Sequence, residues 1–134
     1  MVRLSLALLS VILSSLSVDA LPLSLQTSLA IVEIEQTLNR FSRSVDTHDY
    51  SILDTVFTDD AIANFADGTE LYNLTTIKSA LQAGLVGMIS QHALSTQQVE
   101  VNSALQQAST VSYLQGTFFG QGNLTGQIYT TYGQ

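Results

Sequence analysis

From Ser90 onward the sequence alternates over runs that only extended strands can use, and this sets the fold class. In Ala108 to Phe119, Val111, Tyr113, Gln115, Thr117 and Phe119 fall on one face. Thr110, Ser112, Leu114, Gly116 and Phe118 fall on the other. A period of two places alternate side chains on opposite sides of a sheet. Ser90 to Val101 is a second such run, and Ser103 to Gln107 joins the two. Gly120 to Gly126 forms a glycine-rich link, after which Gln127 to Tyr132 begins a third strand. Long strands joined by short links pair antiparallel.

Upstream the period changes. Ile31, Ile34, Leu38, Phe41 and Val45 recur at helical spacing and form one apolar stripe. The spacing predicts a helix over 27–45, capped by Thr27 or Ser28, with Glu33 and Glu35 in its early turns. Asp46 or Thr47 is expected to cap a short second helix over 48–57. Asp60 to Ala66 reads as a first strand, Asp67-Gly68 as a turn, and Thr69 to Tyr72 as a brief strand pairing back. Asn73 is expected to cap a third helix with Leu74, Ile77, Ala80, Leu81 and Leu85 on its apolar face, and with Gly84 and Gly87 at its end. Helices first and strands afterwards make an α+β domain over residues 21–134, with no internal repeat and no linker.

Residues 1–20 read as an address. Arg3 is followed by an apolar run from Leu4 to Leu16, and Val18-Asp19-Ala20 offers small residues for cleavage before Leu21. The run is shorter than the ~20 residues that cross a bilayer; a signal anchor is the alternative. The chain is therefore expected to be secreted, with no membrane association once the signal is removed. The sequence contains no cysteine. That excludes thiol chemistry and cysteine-based metal sites, and it leaves stability to the core and to oligomerisation. The net charge is −7. Beyond the signal only Arg40, Arg43 and Lys78 are basic, so nucleic acid is not an expected partner. Asn73-Leu74-Thr75 and Asn123-Leu124-Thr125 are candidate glycosylation sites; used, they must face solvent.

The polar corner with Asp46, His48 and Asp49, together with His92, offers carboxylates and imidazoles, enough for proton transfer. Asp46 lies on the flank of the helical stripe, where a capping aspartate also sits. His92 alternates with Leu94 and so faces inward, as a catalytic or as a satisfied structural histidine. His48 reads as a solvated residue at a helix start, and Asp59 and Asp60 as a turn leading into a strand. Tyr50, Tyr113 and Phe119 are the candidates for lining a pocket. Tyr113 shares its face with Gln115 and Thr117, and those polar neighbours fit a solvent face equally well. Tyr129 and Tyr132 read as sheet residues. No ligand spacing supports a metal site, and neither a glycine-rich phosphate loop nor a G-x-S-x-G elbow is present.

The segment V-D-x-x-D-Y-x-x-L-x-x-V-F-x-x-D-A, from Val45 to Ala61, together with S-Q-H-x-L at Ser90 to Leu94, resembles the SnoaL-like branch of the nuclear-transport-factor-2-like superfamily. The resemblance covers about Ser28 to Tyr132. It implies an α+β cone, in which a strongly curved antiparallel sheet wraps a helix layer around a pocket. Family members include dehydratases, isomerases, cyclases, epoxide hydrolases and non-catalytic binding domains. Among the scytalone dehydratase-like relatives, the residues matching Asp46 and His92 form an Asp–His dyad. The tyrosine that precedes the dyad aspartate there is Val45 here, and a second histidine has no counterpart in Ala108 to Phe119. The family also implies a closing strand with Trp and Arg. None is found here, so the domain is expected to be C-terminally truncated, with an open sheet edge that favours a homodimer. For a chain read as secreted from its first twenty residues, the resemblance implies a dehydratase or isomerase, needing no cofactor, that acts on a small apolar metabolite. A non-catalytic binding domain and a degenerate oligomerisation domain are the alternatives.

Overall fold

A computed structural model describes residues 21–65 and 67–133. The proposed signal peptide at 1–20 lies outside the described residues. Helix α1 runs from Leu23 to Thr47 and begins directly after Pro22, whose φ of −54° is already helical. It starts four residues before the expected boundary and has no side-chain cap. Thr27 and Ser28 do not cap it; their hydroxyls donate back to the carbonyls of Leu23 and Ser24. That local bond keeps Ser and Thr inside a helix where sequence preference suggests a boundary. Ile34, Leu38 and Val45 are buried as the stripe requires, with Ile31 and Phe41 half-buried.

The helix ends at His48, whose φ of 57° is left-handed and whose amide donates to the carbonyl of Val45. His48 is thus a C-cap and not the start of the next helix. The buried Ser44 hydroxyl donates to the carbonyl of Asp49 and fixes the corner. The next element is a 3-10 helix, Tyr50–Thr55, and its cap is Asp49, which accepts from the Ser51 amide. Neither Asp46 nor Thr47 serves that purpose.

Strands β1 (Ile62–Asn64) and β2 (Glu70–Tyr72) form a small antiparallel hairpin. Helix α2 spans Leu74–Gly84, and its Asn73 cap accepts from the Thr76 amide. Then come β3 (Met88–Val101), β4 (Ala108–Gly120) and β5 (Ile128–Gly133), an antiparallel sheet in the order β3-β4-β5. Asn102 closes the first long hairpin by accepting from the amides of Gln106 and Gln107. At the second turn a Cβ on Gly120 would stand 2.0 Å from the Leu124 carbonyl oxygen, so only glycine fits.

The larger core gathers Leu53, Val56, Phe57, Ala61, Ala63, Leu74 and Ile77 between the 3-10 helix, the small hairpin and α2. A second cluster, Val45, Leu85 and Phe118, joins the helices to the sheet. Phe41 and Leu81 pack against both. The end of α1 lies on β3, so one sheet face turns inward. Register fixes which face: Ser90, Phe118 and Tyr129 form one inward row, and His92, Gly116 and Thr131 the next. Among the described residues, no helix is long and apolar enough to cross a membrane.

A histidine–aspartate pair at an apolar cavity

Asp46 sits in the last turn of α1, one residue after the buried Val45. Its carboxylate reaches β3. Oδ2 accepts the His92 backbone amide at 2.8 Å, and Oδ1 lies 2.6 Å from the His92 ring Nδ1. The Ser90 hydroxyl also donates to Oδ1, at 2.9 Å. The helix end is thereby bound to a strand by one carboxylate, and a backbone N–H of β3 gains its partner. A carboxylate only accepts, so its bond to Nδ1 places the ring proton on that nitrogen. Nε2 is left free to accept.

The His92 side chain is only 8% exposed. It lines a cavity of 330 Å³ whose other walls are Val45, Phe65 after β1, and Ala80, Leu81, Gly84 and Leu85 from α2 and its end. Phe118, Tyr129 and Thr131 complete the sheet side. The Phe118 ring meets the His92 ring edge-on, with centroids 5.5 Å apart, and Tyr129 stacks on Phe118 at 4.8 Å. The lining contains no Lys, Arg, Asp or Glu. Its polar groups are the His92 imidazole, the Thr131 hydroxyl and the Tyr129 phenol. The cavity falls at the small end of ligand pockets, which bury mostly apolar surface and fix orientation with a few polar groups.

The structure thus brings Asp46 and His92 into direct contact across 46 residues of sequence. It does not bring the expected pocket tyrosines or Phe119 to them. Tyr113 and Phe119 lie on the opposite sheet face, 47% and 39% exposed, because they have the other parity from Gly116 and Phe118. Tyr50 packs against the larger core and stacks near His48; burial raises its phenol above the usual pKa. None of the three lines the cavity. Asp59 and Asp60 form a turn before β1. Asn73 and Asn123 are both exposed. Among the described residues, no three His, Asp or Glu side chains gather to hold a metal.

Sequence reasoning missed Ser90, Phe118, Tyr129 and Thr131. The signal for them was parity: with His92 facing inward, Ser90 must too, and pairing carries the same face across to Phe118 and Thr131. What the sequence did not supply was the register that links the three strands.

Residues 26–133 match the family model of the SnoaL-like domain. No curated protein matches. Among solved structures, Aln2 from a Streptomyces species superimposes with a TM-score of 0.61 at 22% identity, over 77% of this chain and 71% of that one. At that identity the likeness is one of fold: α+β, with a long helix packed on a curved antiparallel sheet.

Proposed function

This chain belongs to the SnoaL-like domain family, and from that premise we propose that it is a secreted, cofactor-independent dehydratase or isomerase acting on a small, uncharged metabolite. The observation that carries the reading is the 2.6 Å contact between Asp46 Oδ1 and His92 Nδ1 at the wall of an apolar cavity. Asp46 orients the ring and stabilises the imidazolium that forms; Nε2 acts as the base. It removes a proton from carbon next to a carbonyl, and the electron pair moves onto the carbonyl oxygen. In an isomerisation the imidazolium returns that proton to a different carbon. In a dehydration it protonates a β-hydroxyl, which leaves as water while the electron pair forms the new double bond. The absence of charged lining residues favours a substrate without carboxylate or phosphate, since an ion there would meet no counter-charge.

The test is proton exchange. A panel of small β-hydroxy ketones and enones, incubated with the protein in D₂O, should take up deuterium at the α-carbon, followed by NMR. His92→Ala should slow the uptake by about 10²–10⁴-fold, the usual contribution of a positioned base. Exchange that is unchanged by His92→Ala overturns the reading. A non-catalytic binding role is the second reading, favoured by Val45, which at 2% exposure presents only hydrocarbon where relatives carry a tyrosine. It predicts ligands that bind equally well to His92→Ala and never exchange.

Secretion rests on the sequence of residues 1–20, and the exposure of both sequon asparagines is compatible with it. We also propose that the chain forms a homodimer through the outer sheet face. There the rows Ile89–Phe119–Ile128, Gln91–Thr117–Thr130 and Ala93–Gln115–Tyr132 carry no charge. Ile128 and Tyr132 are 66% and 80% exposed on that face, and an uncharged face carrying exposed large apolar side chains suits a contact with a second copy.

A further inference from the structure

Ser90 is 5% exposed, and its hydroxyl is directed at Asp46 and at nothing else polar outside its own strand. It lies two residues before His92 on β3, so both side chains project from the same face toward the end of α1. Asp46 Oδ1 is the atom that both of them share: it meets His92 Nδ1 at 2.6 Å and accepts from Ser90 Oγ at 2.9 Å.

An aspartate side chain turns about two torsions. The backbone amide of His92 holds Oδ2, but a single bond leaves the carboxylate free to pivot about that atom. A pivot moves Oδ1 away from Nδ1, and the ring proton is then free to settle on Nε2. A second donor on Oδ1, coming from a neighbouring point on the same strand, removes that freedom. Among the described residues, the one hydrogen-bond partner of the His92 ring is Asp46. Phe118 meets the ring edge-on and offers no polar contact. The orientation of the imidazole is therefore decided on the Asp46 side.

We infer that Ser90 is a positioning residue for the dyad: its hydroxyl locks the Asp46 carboxylate so that His92 is held as the Nδ1–H tautomer, with Nε2 unprotonated toward the cavity. This rests on the proton-transfer reading for its purpose, but its test needs no substrate. The chain contains only two histidines. His48, exposed at the end of α1, therefore serves as an internal reference for His92.

The experiment records long-range ¹H–¹⁵N correlations of the imidazole rings at a pH where both are neutral. In the wild-type protein His92 is expected to show two well-separated nitrogens, protonated at Nδ1 and bare at Nε2. In Ser90→Ala the two shifts should move toward each other as the tautomers mix, while those of His48 stay in place. Ser90→Thr, which keeps the hydroxyl, should restore the separation. Ser90→Cys, similar in volume but a weak donor, should behave as Ser90→Ala and exclude an effect of packing alone. Wild-type shifts for His92 in both Ser90→Ala and Ser90→Cys overturn the inference, as does an Nε2–H tautomer in the wild type. Failure of the exchange assay with an intact tautomer result would sink the enzymatic reading and leave this one standing.

Discussion

At the scale of single residues, two walls of the cavity, Phe118 and Thr131, pack against one missing side chain. Gly116 stands between His92 and Thr131 in the central row of the sheet, and a Cβ there would lie 2.9 Å from Phe118 Cε2 and 3.1 Å from Thr131 Oγ1. The Phe118 ring is folded over the glycine and held there by Tyr129 stacked on it and by the His92 ring at right angles to it. It has little room to yield. Gly116→Ala should therefore destabilise the fold by about 1–3 kcal/mol, the usual cost of overpacking, read as a lower urea midpoint with an unchanged slope. The same substitution should shift the His92 ring signals, because the aromatic edge that meets the imidazole must move. Asp46 and His92 were legible as candidates because they fall at the matching positions of the V-D and S-Q-H motifs. Asp46 was equally legible as a cap, since a helix-end aspartate commonly is one. The choice came from a strand 44 residues later, where Ser90 and His92 supply three donors.

At the scale of elements, local chemistry set most boundaries. The alternating runs became β3, β4 and β5 nearly as read, and Asn73 caps α2 as its position before an apolar helix implies. Asn73 also has a φ of 66°, a left-handed value that costs a residue with a Cβ and costs glycine little. Asn73→Ala should lower stability by roughly 0.5–2 kcal/mol through loss of the cap, and Asn73→Gly by only a few tenths, in matched thermal melts. A glycan on Asn73 would leave the capping Oδ1 in place, so glycosylation and capping are compatible. Boundaries were misplaced where serine and threonine make bonds that sequence preference reads as ends. Thr27 and Ser28 donate back along α1 in place of capping it, and the corner after Thr47 is turned by His48 and Asp49.

At the scale of the whole molecule, the sheet has two faces and the helices cover one. The outer face leaves Ile89, Val111, Tyr113, Phe119, Ile128 and Tyr132 each at least 39% exposed. If two copies cover that face, the wild-type protein should sediment as a dimer, and Ile128→Glu with Tyr132→Glu should sediment as a monomer that keeps its secondary structure. A monomeric wild type, or a dimer indifferent to both charges, removes the outer face as the contact. Alternation in Ala108 to Phe119 already told that Tyr113 and Phe119 share one side and Gly116 and Phe118 the other. By itself the sequence determined the periods, the order of helix and strand, and the pairing of residues into faces, because backbone geometry imposes those locally. Alternation with Leu94 already turned His92 and its face of β3 inward, but which faces of β4 and β5 follow it was decided only by the tertiary pairing, since register is set between strands and not within them. The contact of Asp46 with Ser90 and His92 docks α1 on that face of β3, and it is the same contact that gives the cavity its only imidazole.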